Sequence, residues 1–162
     1  MTSATLCDAI VCVPEATFHT PFKLLGIPPE GCSSVHFKRI MPENTALGML
    51  YKDLKLSAEE AKAAGMVYAV YPPDELLTSA QSLAERWIAE GKKRVVASDL
   101  KIVNELESVA LADALLSKAF LQHQGSVSYK KGKVGPAVLF NSLAYTRFMW
   151  KHLLLRPNGY LA

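Results

Sequence analysis

CDAIVCVPEATFHTPF (residues 7–22) and LGIPPEGCSS (residues 25–34) decide how the rest of the chain is read. Residues 6–13, LCDAIVCV, are a run of small and β-branched apolar side chains, which predicts a buried strand. Pro14 punctuates it, and ATFHTPF at 16–22 alternates well enough to predict a second short strand. Gly26, Pro28 and Pro29 make residues 24–30 a loop. GCSSVHFKRI (31–40) then predicts a helix whose first turn is Glu30-Gly31-Cys32 and which Pro42 ends.

Further along, a helix is expected from Asn44 as N-cap through Ala46, Leu47 and Leu50. Ser57-Ala58-Glu59-Glu60 is a capping box, with Ala61, Ala63 and Ala64 behind it and Gly65 placed to stop the helix in a left-handed turn. MVYAVYP (66–72) predicts a strand. Asp74 is expected to cap a long amphipathic helix that carries Leu76, Leu77, Ala80, Leu83, Ala84, Trp87 and Ile88 and closes at Gly91. Ile102, Val103, Leu106, Val109, Ala110 and Leu115 predict one more helix, to about Phe120, after which Gly125 and the glycine–lysine stretch break the period. Residues 137–162 are strongly apolar, but their polar side chains share no single helical face. Such a segment either docks on the rest or offers a protein or membrane contact, and Arg147 and Lys151 argue against a span. No internal repeat is visible.

Composition narrows the class. Half of the 162 residues are apolar and 20% charged, as in one globular domain with enough non-polar mass for a core. Eighteen Lys and Arg against fifteen Asp and Glu give a net charge of +3, too little and too scattered for a nucleic-acid footprint. Cys7, Cys12 and Cys32 are an odd set without a CxxC pair, which suggests neither a disulfide framework nor a zinc ribbon and fits a reducing compartment. No basic leader precedes an apolar run at the start, and no run reaches the roughly 18 uncharged residues of a membrane span.

Few side chains invite chemistry. Cys32 and His36 lie four apart on one predicted helix face, but a thiol–imidazole pair also needs an orienting group and an oxyanion site. His19 with Cys7 and Cys12 has irregular spacing for a metal, so no metal ligands are assigned. Lys92-Lys93-Arg94 is a solvated run by default, or a phosphate contact. Glu30, read alone, is an ordinary helix-start carboxylate stabilised by the dipole.

CDAIVCVPEATFHTPF, LGIPPEGCSS and KLSAEEAKAAGMVYAVYP (55–72), at their spacing, resemble the enoyl-CoA hydratase/isomerase (crotonase) family, and ELESVALADALL (105–116) resembles its C-terminal trimerisation region more loosely. ATFHTPF before the Pro29-Glu30-Gly31-Cys32 turn is similar to the Δ3,Δ2-enoyl-CoA isomerases, the peroxisomal type included. The resemblance implies an α/β crotonase-like spiral fold represented by its C-terminal half, with a helical C-terminal portion. It divides the chain into a partial crotonase-like domain at 1–125 and an unrecognised apolar and basic tail at 126–162. It implies a double-bond shift in an unsaturated acyl-CoA, with coenzyme A part of the substrate and no further cofactor, in fatty-acid β-oxidation or secondary-metabolite tailoring.

Hydration needs two carboxylates to position and deprotonate water, whereas isomerisation needs one base that takes a proton from C2 and returns it at C4. Where the hydratases have a proline–glutamate pair, this chain has Pro21-Phe22, and where they have a small residue in the next turn it has Glu30. The resemblance therefore makes Glu30 the catalytic base and Phe22, Leu25, Ile27 and Gly31 its substrate-binding neighbours. An apolar wall would raise the Glu30 pKa and a helix starting near Gly31 would lower it. In the family the amides that hold the enolate come from segments before the strand beginning here near Leu6, so the alternatives are a non-catalytic chain that associates with full-length crotonase subunits, or a hydratase. Partners implied are acyl-CoA and further crotonase subunits, as a trimer or hexamer. The peroxisome is implied as the location, although Gly159-Tyr160-Leu161-Ala162 is no Ser-Lys-Leu-like signal; the cytoplasm is otherwise expected.

Overall fold

The computed structural model describes residues 1–92 and 99–154, with side chains described as far as residue 150. A 3-10 turn at Thr2–Leu6 leads to β1 (Val11–Cys12), β2 (Thr17–His19), α1 (Phe22–Leu25), α2 (Ser33–Ile40) and α3 (Glu43–Tyr51). Then come β3 (Lys55–Ser57), α4 (Ala58–Ala63), β4 (Ala69–Val70), α5 (Leu76–Ala89), α6 (Asp99–Leu115), α7 (Lys118–Lys130) and α8 (Val134–Leu154). β1 pairs in parallel with β4, Val11 opposite Ala69 and Cys12 opposite Val70. β2 pairs antiparallel with β3, Phe18 opposite Leu56.

The first predicted strand is shorter than expected: Leu6 belongs to the 3-10 turn, and only Val11 and Cys12 are laddered. The second ends at His19, because Pro21 cannot donate to a ladder and Phe22 already begins α1. Between these strands and α2–α4 sits the core, in which Phe37, Ala46, Met49, Ala58 and Ala61 are fully buried. The capping box forms as expected, with Ser57 Oγ accepting from the Glu60 amide and Glu60 Oε2 accepting from the Ser57 amide. Two other caps move: Pro42 rather than Asn44 precedes α3, and Glu75 rather than Asp74 precedes α5.

The helical part differs most from expectation. The helix expected to run to Phe120 is two, because Ser117 turns extended and caps α7 by accepting from the Phe120 amide. The buried face of α6 includes Leu100 and Glu107, while Ile102 and Leu106, part of the apolar pattern that predicted the helix, are exposed. Gly125 does not break α7 but lies buried within it: a Cβ there would meet Asn141 Nδ2 of α8 at 2.5 Å, so glycine is what lets the two helices close. Much of the segment expected as an unpatterned tail is α8, seated on α7 through Ala137 and Ala144. α7 itself crosses the division drawn at residue 125. Lys93, Arg94 and residues 155–162 lie outside the described residues. Among the described residues no helix is long and apolar enough to cross a membrane.

Candidate functional site

Pro28 and Pro29 hold the chain extended into a tight turn at Glu30-Gly31-Cys32, closed by the Ser33 amide donating to the Glu30 carbonyl at 3.3 Å. Gly31 and Cys32 both take left-handed φ values, 64° and 65°. The reading of Glu30-Gly31-Cys32 as the first turn of α2 is therefore corrected: Cys32 is the N-cap, and the helix starts at Ser33. Gly31 is required twice over, by its φ and because a Cβ would lie 2.8 Å from Thr2 Oγ1.

Thr2 covers this turn. It is buried, and its hydroxyl donates to Glu30 Oε1 at 2.6 Å, leaving the Glu30 side chain half-buried. Nothing in the sequence singled out Thr2. Of the other expected site residues, Phe22 is packed into the core, Ile27 lies partly buried against it, and Leu25 is exposed.

The N-terminus of α2 receives a carboxylate, but not that of Glu30. Glu107, on α6, accepts from the Cys32 amide at 2.6 Å through Oε2 and from the Ser34 amide at 2.9 Å through Oε1. It is 7% exposed. The Cys32 thiol donates to the Leu100 carbonyl at 3.3 Å, and Arg39 makes a paired ion contact with Asp99, so three links tie α6 to α2. Burial pushes the Cys32 thiol up, and the charges of Glu107, Asp99 and Glu30 add to this. Arg39 holds Asp99 below the usual carboxylate range. The available signal for Glu107 was its place on one stripe with Leu100 and Val103, a carboxylate on the face that turns inward.

His36 Nε2 lies 2.8 Å from the Thr5 carbonyl, so imidazole and thiol are turned to different partners and form no nucleophilic pair. His19 lies 3.9 Å from Asp53. Lys92 stacks over Trp87 at 4.4 Å and reaches Glu90 at 3.4 Å. Beside it an open apolar groove of about 630 Å³ runs between residues 7–11 and the α5 face of Leu83, Ala84 and Trp87, apart from Glu30.

Residues 1–135 match the family model for enoyl-CoA hydratase/isomerase. Over 67 residues the chain is 51% identical to human enoyl-CoA delta isomerase 2, covering 41% of this chain and 17% of that protein. Over 72 residues it is 44% identical to mouse "Enoyl-CoA delta isomerase 3, peroxisomal", covering 44% and 23%. The crystal structure of enoyl-CoA hydratase/isomerase from Pseudoalteromonas atlantica superimposes with a TM-score of 0.67 at 21% identity, covering 82% of this chain and 57% of that one, which identifies the crotonase-like fold. The chain thus spans less than two thirds of the length of each. With 1–135 matched, the chain belongs to the enoyl-CoA hydratase/isomerase family.

Proposed function

We propose that this chain carries the base of a Δ3,Δ2-enoyl-CoA isomerase site, with Glu30 moving the proton. The carboxylate would take the proton from C2, leaving the electron pair delocalised into the thioester as an enolate. It would then return the proton at C4, so that the double bond moves and no atom is gained or lost. The observation that carries the reading is the setting of Glu30: a half-buried carboxylate on a tight turn, held there by the Thr2 hydroxyl. A hydratase would need a second carboxylate, and at the position where hydratases place it stands the buried Phe22. Lys92 remains a candidate contact for the phosphates of coenzyme A. The likeness to the mouse protein supports a peroxisomal setting, and the exposed apolar face of α7 and α8 supports self-association.

The enolate needs preorganised N–H donors. The Cys32 and Ser34 amides that follow Glu30 both donate to Glu107, so neither is free to hold an enolate. That observation also supports a second reading, a non-catalytic chain that associates with longer members of the family. The test is to titrate the purified chain with a saturated acyl-CoA and assay it with 3-enoyl-CoA and 2-enoyl-CoA. The expected result is weak binding, unchanged by Glu30→Gln, and turnover of 3-enoyl-CoA near background. Brisk hydration of 2-enoyl-CoA would overturn the isomerase reading, and absence of acyl-CoA binding would leave only the second.

A further inference from the structure

Glu107 is a buried carboxylate that the proton transfer does not use. Burying such a charge is costly unless it is fully hydrogen-bonded, and here each oxygen takes one backbone amide at the start of α2. A local cap could not do this. The N-cap residue is Cys32, whose side chain makes no capping hydrogen bond and donates its thiol hydrogen to Leu100 instead. Cys32 also sits at φ 65°, ψ 6°, a region unfavourable for a residue with a Cβ, and such conformations persist only where the surroundings over-determine them. Glu107 is that surrounding on one side of the turn, and Thr2, against Gly31 and Glu30, is that surrounding on the other.

We infer that Glu107 is a positioning residue for Glu30: by holding the Cys32 and Ser34 amides it fixes the left-handed Gly31-Cys32 turn, and with it the direction of the Glu30 carboxylate. The inference rests on the reading of Glu30 as the base, and it makes the docking of α6 a condition for the base to be aimed. Glu107→Gln separates this from simple capping, because the amide keeps one acceptor oxygen and turns an N–H₂ donor toward the second backbone N–H.

The test uses the 162-residue chain with labelled backbone nitrogens and labelled glutamate carboxyl carbons, the Glu30 resonance being assigned from its loss in Glu30→Gln. In Glu107→Gln the Cys32 and Ser34 amides should exchange at least roughly tenfold faster, the loss expected for a charge-assisted bond, while Ala61 and Met66 in and beside α4 stay unchanged. The Glu30 carboxyl resonance should move at the same time. If the two amides speed up and the Glu30 carboxyl stays where it was, Glu107 caps a helix and positions nothing, and the inference is overturned; unchanged amide exchange overturns it as well. Should Glu107→Gln not fold, Glu107→Asp retains the charge but falls a methylene short of spanning both amides, and the same criteria apply. No turnover is needed for this readout, so its failure is distinct from that of the isomerase reading, which shows as equal 3-enoyl-CoA conversion with Glu30 and Glu30→Gln once residues 1–135 replace the matching segment of a longer family member.

Discussion

Residues 7–72 and the α7–α8 hairpin are both rich in apolar side chains, yet they dispose of them in opposite ways. In the first region large side chains turn inward, with Phe37 and Met49 at 0% exposure. In the hairpin the buried positions include Leu121, Gly125, Ala137 and Ala144, three of them small, while Val138, Tyr145 and Phe148 are left at 59%, 66% and 70%. Small residues let two helices approach closely but bury little area, and the hydrophobic contribution scales with area. Residues 7–72 are therefore the stable part of the chain, and the hairpin is the part that presents a surface.

Substitutions can break or sharpen that contrast. Phe37→Ala should be the most damaging, costing about 3–5 kcal/mol by denaturant unfolding, because a fully buried ring leaves a cavity. Gly125→Leu should cost about 1–3 kcal/mol, since the new side chain meets Asn141 where the helices close. It should loosen α8 and leave the amide protection of α2–α4 in place. Ser57→Ala should cost about 1 kcal/mol through the lost cap.

That last change has a pH signature. Hydrogen bonds from Ser57 hold the Glu60 carboxyl below its ordinary range, so the contribution is present above the unfolded pKa and disappears as pH falls through the folded one. Thermal melts at decreasing pH should lose part of this acid-side slope in Ser57→Ala, because the hydroxyl bond goes while the residue-57 backbone amide still donates to Glu60. Phe148→Ser should be the mildest, within about 0.5 kcal/mol for the monomer, while reducing self-association in sedimentation measurements. A loss as large as that of Phe37→Ala would show that the hairpin is core after all.

Local signals were legible where local chemistry decides the structure. Ser57-x-x-Glu60 names its own hydrogen bonds, and Pro28-Pro29 before Gly31 announces a turn. The left-handed state of Cys32 was not legible, because a cysteine seldom adopts it and the partner that holds it is 75 residues away. The inward face of α6 was not legible for a related reason: Ile102 and Leu106 are apolar yet exposed, because α6 is tied to α2 through Glu107, Leu100 and Asp99, so the carboxylate faces in. Gly125 looked like a breaker because its use, a close approach to Asn141, belongs to a helix pairing that no local pattern records. The candidate base was found through the resemblance of its flanking motif, whereas Thr2, which holds it, carries no signal of its own.

Glu30 as the proton carrier is best tested inside a longer member of the family. Residues 1–135 replace the corresponding segment of human enoyl-CoA delta isomerase 2, and 3-enoyl-CoA conversion is followed with Glu30 and with Glu30→Gln in that setting. Turnover is expected with Glu30, and a loss of about 10²–10⁴-fold in Glu30→Gln, the usual worth of a positioned acid–base group, with binding of a saturated acyl-CoA unchanged. Equal rates in the two chimeras, or a folded chimera that binds acyl-CoA yet converts none with Glu30 in place, would contradict it.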